Sequence, residues 1–203
     1  MKLSNLIWVL ALAGAAAACN SGPPVTNVTP PDTGGGGAGG AGIVDACINE
    51  EDTAVYDELV YIDCAGVTHE GDEASSAIGS DCIQGTANPD VCPAGSEPTL
   101  EGCGALTGMV LGCFPLCPEE LIQEAADCVA DCVQTATAEA APPGLSDDCV
   151  ACTGDTVACG AAFCTTVCIA DSNAPACIDC RCENNCIQSF DTCSGLPPGG
   201  ECS

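Results

Sequence analysis

CFPLCPEELIQEAADCVADC (residues 113–132) and CTTVCIADSNAPACIDCRCENNC (residues 164–186) carry the pattern that decides the fold. Each holds two cysteine pairs at i, i+4 spacing: Cys113/Cys117 with Cys128/Cys132, and Cys164/Cys168 with Cys182/Cys186. On an α-helix that spacing puts both sulfurs on one face. The first stretch runs into the clearest helix of the chain, from Pro118 to about Thr137. Pro118 suits the first helical position, Glu119 and Glu120 suit the positive end of the helix dipole, and Leu121, Ala125, Cys128 and Cys132 form a stripe. A last helix from about Pro175 to Cys193 aligns Cys182, Cys186, Phe190 and Cys193. Upstream, Asn49 reads as an N-cap before Glu50, Glu51 and Asp52, with Val55, Leu59 and Ile62 as a partial apolar face; residues 55–62 read equally as a strand. Ser146 reads as an N-cap before Asp147 and Asp148, opening a helix that Gly154 and Gly160 interrupt. The fold class is therefore mainly α.

The paired Cys-x3-Cys segments resemble the disulfide-stapled helical hairpin of α-hairpinin-type peptides, over two segments of roughly 20 residues each. In such a hairpin the outer cysteines pair with each other and so do the inner ones. The resemblance implies Cys113–Cys132 with Cys117–Cys128, and Cys164–Cys186 with Cys168–Cys182. Pro115 lies inside the first motif and distorts its leading helix.

Composition fixes the surroundings in which such a fold is built. Twenty-one of the 203 residues are Cys, and 29 Asp and Glu face only two basic residues, Lys2 and Arg181. Cysteine at that density belongs to an exported, disulfide-built protein, because a reducing compartment would leave the thiols unpaired. A formal charge of −27 excludes nucleic acid as a partner, since phosphate binding depends on Lys and Arg displacing counterions. It also excludes electrostatic adhesion to anionic lipid, so membrane attachment has to be covalent or hydrophobic.

Residues 1–18 read as a signal peptide: Met1-Lys2 is the n-region, and Leu6 to Ala18 is an uncharged apolar run ending in four alanines before Cys19. Thirteen apolar residues make about 20 Å of helix, short of a hydrocarbon core of about 30 Å. Ala17-Ala18-Cys19 resembles the lipobox of cysteine-rich bacterial lipoproteins, which implies lipidation of Cys19. Ala16 stands where that family usually has Leu, and Ala16-x-Ala18 also satisfies ordinary signal peptidase, which would leave a secreted protein with Cys19 as a spare thiol. Parity favours the lipid: with Cys19 acylated, twenty cysteines remain for pairing. Asn20 follows, so the commonest inner-membrane retention signal, Asp at that position, is missing. The lipoprotein reading implies a location in the bacterial cell envelope, anchored to the outer membrane or displayed on the cell surface.

Residues 19–42 contain the anchor cysteine and a Pro-Pro and Gly-run segment without core-forming residues, a disordered tether. Residues 43–203 are the cysteine-rich helical domain, with a softer seam at 136–144 (ATAEAAPPG) that leaves two subdomains open.

Three functions are compatible with this architecture. The first is a non-enzymatic, acidic, disulfide-rich binding or structural module, held at the membrane through its lipid and presented to an unidentified protein partner. The second is an exported redox or metal-handling protein using Cys149-x2-Cys152 and Cys177-x2-Cys180, whose spacing resembles a zinc ribbon. So dense a set of other cysteines in an oxidising compartment argues for bridges instead of thiolates, so no metal or cofactor is assigned. The third is a hydrolase using clustered carboxylates or His69, the only His, which reads as a surface residue in the polar loop 67–73. No Gly-x-Ser-x-Gly elbow, calcium loop or phosphate-binding Gly loop occurs, so no catalytic residue is assigned.

Overall fold

The computed structural model describes residues 42–85, 100, 102–113, 117–168, 172–198 and 202. Cys19, the expected signal segment and all but the last residue of the expected tether lie outside them. The described chain is mostly helical, in the order α1 (Glu50–Glu58), β1 (Val60–Ile62), β2 (Thr68–Glu70), α2 (Gly71–Gln84), α3 (Gly104–Cys113), α4 (Glu119–Ala140), α5 (Asp147–Cys168), α6 (Pro175–Glu183) and α7 (Cys186–Ser194). The expected mainly α, disulfide-stapled domain is present.

Two 22-residue helices, α4 and α5, form its centre, joined by residues 141–146. Helix α2 packs across both, and α6 and α7 lie along α5. Residues 136–144 form the end of α4 and part of the turn between the central pair, with Gly144, at φ +89°, against Ala138. Helix α5 runs unbroken through Gly154 and Gly160, where the sequence predicts an interruption. At Gly154 the missing side chain is a packing requirement: a Cβ there would strike the Ala126 carbonyl oxygen and crowd the Ala130 methyl group of α4. Close approach of the two helices outweighs the roughly 1 kcal/mol that Gly costs a helix interior.

The core is assembled from small side chains. Leu59, Ile78, Val110, Val129, Val133 and Leu145 are the largest apolar groups fully enclosed, beside Cys47, Cys82 and Cys149. Disulfides replace the apolar volume that such a chain lacks.

Residues 55–62 resolve into both expected conformations. Helix α1 ends at Glu58 and β1 starts at Val60, pairing antiparallel with β2 in the register Val60↔Glu70, Tyr61↔His69 and Ile62↔Thr68. The turn is closed by Asp63: its carbonyl accepts the Gly66 N–H at 2.9 Å, and its carboxylate accepts the Val67 N–H at 2.8 Å. His69 therefore sits on a strand and not in the loop that its polar neighbours suggest. Helices α2 and α3 are additional to the elements expected from sequence.

Nine bridges are seen, and Cys64 is disulfide-bonded as well. Four of them form an antiparallel ladder between α5 and the α6–α7 pair: Cys152–Cys193, Cys159–Cys186, Cys164–Cys180 and Cys168–Cys177. From Cys152 the α5 cysteines advance by seven, five and four residues while their partners retreat from Cys193 by seven, six and three. Cys82–Cys132 and Cys103–Cys128 tie α2 and the start of α3 to one face of α4. Cys47–Cys149 joins the segment before α1 to the first turn of α5, Cys182–Cys202 ties Cys202 to α6, and Cys113–Cys117 bridges a separation of four residues.

All eight cysteines of the two hairpin motifs are bridged, but none of the four implied pairs forms. Cys113 ends α3 and Cys117 precedes α4, so they share no helical face and pair with each other. Cys128 and Cys132 do share a face of α4, and that face meets α2 and α3. In the second motif α6 ends at Glu183, and Asn185, at φ +60°, restarts the chain as α7. The expected continuous helix over 175–193 is thus two helices. Cys177 and Cys180, three residues apart, face α5, whereas Cys182 lies two residues further round and points away, toward Cys202. An antiparallel hairpin is present, in a different register from the one implied.

Candidate functional site

The reactive-thiol reading depends on Cys149, Cys152, Cys177 and Cys180. Neither Cys-x2-Cys pair is a dithiol: the partners are Cys47, Cys193, Cys168 and Cys164 respectively. All nineteen cysteines among the described residues are disulfide-bonded. Among those residues no cluster of three or more His, Cys, Asp or Glu is arranged to hold a metal ion. The zinc-ribbon spacing arises because two neighbouring rungs of a bridge network fall on each helix.

His69 belongs to a polar cluster at the foot of the hairpin. Its Nε2 lies 3.0 Å from Asp63 Oδ2. Partial burial of Asp63 is outweighed by hydrogen bonds from His69 and from the Val67 N–H, with the charge of His69 adding to them, so its carboxyl is held below the usual carboxylate range. Behind it, Asp81 of α2 is buried and accepts the Tyr61 hydroxyl at 2.9 Å and the Cys64 N–H at 3.0 Å. Burial pushes Asp81 up despite these bonds, with Asp63 adding repulsion, and burial beside Asp81 pushes the Tyr61 phenol up as well. A His–carboxylate pair can orient an imidazole as a general base, but catalysis also needs a nucleophile or a bound water to act on. No Ser, Thr or Cys side chain among the described residues is hydrogen-bonded to His69. Tyr61 and Asp81 anchor the hairpin to α2, and Asp63 and His69 lock its turn.

The strongest polar construction is fully enclosed. Asp52 in α1 is completely buried and accepts the Ser146 N–H and the Ser146 hydroxyl, each at 2.6 Å, and the Asn49 side-chain amide at 2.5 Å. Asn49 caps α1 through the Asp52 N–H at 2.8 Å, and Ser146 faces the Cys149 N–H at the start of α5 at 3.4 Å. One carboxylate therefore serves two helix N-termini, where both dipoles favour negative charge. The Cys47–Cys149 bridge pins the same junction, and the Tyr56 hydroxyl lies 3.2 Å from Cys149 Sγ. The two caps are legible in sequence; the 94-residue link between them is not.

The remaining carboxylates mostly coat the surface. Glu119, Glu120, Gln123, Glu124 and Asp127 line an open depression along the first turns of α4, where Gln123 donates to Asp127 at 2.6 Å. Across from it on α5, burial and the nearby Asp127 push Asp155 up to about 6. An open, acidic helix face of this kind can attract cations diffusely, and it encloses no substrate. Helix α5 is long and apolar enough to cross a membrane by length and composition. Half of its apolar stretch is buried and five of its residues are bridged to other segments, which explains the apolarity as that of a core helix. The many disulfides mark a protein of an oxidising, extracellular environment. Comparisons with protein-family models, with curated proteins and with solved structures give no match.

Proposed function

We propose that the protein is a non-enzymatic lipoprotein of a bacterial cell envelope, in which lipidated Cys19 and a Pro/Gly tether hold an acidic, disulfide-built domain at the outer membrane or cell surface, where it acts by contact with another protein. The observation that carries this reading is the closure of all nineteen described cysteines into bridges. Such bridges are worth about 2–5 kcal/mol each in small exported domains, and here they support a core with few large apolar groups. A thiol or metal centre would require some of those cysteines as thiolates. Carboxylates distributed over the surface keep such a domain soluble and exclude anionic partners, so the protein partner is one with a neutral or basic face.

Membrane fractionation of the wild type and Cys19→Ser tests the proposal. Cys19→Ser is expected to leave the membrane fraction, and the wild-type N-terminal peptide is expected to carry a diacylglyceryl mass on Cys19. Undiminished membrane retention of the variant, or an unmodified Cys19 thiol in the wild type, contradicts it.

A further inference from the structure

We propose that Cys113–Cys117 is a thiol-exchange site, opened by a small uncharged dithiol while the rest of the scaffold stays oxidised. Three observations converge on this bridge. Seven of the nine bridges contain at least one buried cysteine; in Cys113–Cys117 and Cys182–Cys202 both cysteines are only half-buried. Of these two, Cys182–Cys202 closes a separation of 20 residues and ties Cys202 to α6, whereas Cys113–Cys117 closes a separation of four. The stabilisation from a bridge grows with the loop that it closes, so opening the four-residue ring costs the scaffold least. The rest of α4 is secured independently by Cys82–Cys132 and Cys103–Cys128.

The third observation concerns the reduced state. The Val110 carbonyl oxygen lies 3.1 Å from Cys113 Sγ and 3.3 Å from Cys117 Sγ. After reduction, either thiol finds an acceptor already in place, so opening leaves no new unpaired group at the junction. The two sulfurs also differ. Cys113 is the last residue of α3, where the dipole disfavours a thiolate, while Cys117 precedes the N-terminus of α4, where it favours one. The incoming thiolate therefore attacks Cys113 Sγ, and Cys117 departs as the thiolate. The second thiol of the reductant then attacks its own sulfur in the mixed disulfide and displaces Cys113. The products are two cysteine thiols and one cyclic disulfide of the reductant, a two-electron exchange. Glu119 and Glu120, two and three residues after Cys117, disfavour a reductant that carries negative charge beyond its attacking thiolate, so the reductant class is an otherwise uncharged dithiol.

The test is graded dithiothreitol treatment of the full-length oxidised protein, with alkylation, peptide mapping and far-UV circular dichroism on the same samples. Cys113 and Cys117 are expected to be alkylated at least ten-fold faster than any other pair, with helical ellipticity unchanged. Cys113→Ser/Cys117→Ser is expected to keep the fold and lose that fast phase. Earlier labelling of Cys182 and Cys202, all-or-none labelling of every bridge, or failure of the double variant to fold overturns the proposal.

Discussion

Removal of the Asp52 carboxylate is the most demanding perturbation of the fold. Asp52→Ala deletes three hydrogen bonds of 2.5–2.6 Å to Ser146 and Asn49, all of them charge-assisted. Each such bond is worth about 1.5–3 kcal/mol net, but bonds to one carboxylate do not add. The Asn49 amide keeps the Ala46 carbonyl as acceptor at 2.9 Å, whereas the Ser146 N–H loses its partner in a part-buried junction. The expected loss is about 2–4 kcal/mol, because the partners left behind are neutral donors, chiefly the Ser146 N–H, and no unpaired charge is buried. Equilibrium urea denaturation of the oxidised protein, followed at 222 nm, measures it. A double-mutant cycle with Ser146→Ala isolates the long-range part, for which a coupling of about 1–2 kcal/mol is expected. A single-variant loss below about 1 kcal/mol, or additive singles, refutes the reasoning that one carboxylate couples the two helix starts.

Three further outcomes follow from the packing and charges. Gly154→Ala drives a methyl group into the Ala126 backbone and is expected to cost about 1–3 kcal/mol, while Gly108→Ala, in open space on α3, is neutral or gains up to about 1 kcal/mol; thermal melts separate the two. The Asp155 carboxyl, at about 6 in the folded state against 3.8 ordinarily, binds its proton more tightly when folded. Its contribution to stability is therefore greatest below pH 4 and is lost as pH rises through 6. After allowance for solvent screening of this half-buried group, Asp155→Asn is expected to raise stability at pH 7 by about 1–2 kcal/mol and to flatten the stability profile between pH 4 and 6; an unchanged profile contradicts this. Tyr61→Phe is expected to cost about 1–2 kcal/mol by leaving buried Asp81 with one donor fewer, read as a shift in denaturation midpoint.

The helical class, the caps at Asn49 and Ser146, and the start of α4 at Pro118 are legible from residue types within a single turn. Bridge partners are not, because they depend on where helices stop. Nothing near Asn184 and Asn185 marks a break as strongly as a proline would, yet the left-handed Asn185 moves Cys186 and Cys193 onto a new helix facing α5. The matching seven-residue steps, Cys152 to Cys159 and Cys186 to Cys193, are the sequence signal of the ladder, and they sit among more conspicuous i, i+4 pairs that belong to no common helix hairpin. Gly154 is the opposite case. Its helix cost is local and visible, whereas the close crossing with α4 that requires it appears only in the folded chain. Asp52, Asp81 and Asp155 carry no sequence mark that separates them from the other 26 acids, since burial alone gives them their roles.

The central claim is a scaffold held by an antiparallel disulfide ladder. Peptide mapping of the unreduced, exported protein by mass spectrometry tests it most directly. Linked peptides containing Cys152–Cys193, Cys159–Cys186, Cys164–Cys180 and Cys168–Cys177 are the predicted result. Free thiols at these positions, or the hairpin pairs Cys164–Cys186 and Cys168–Cys182, contradict it.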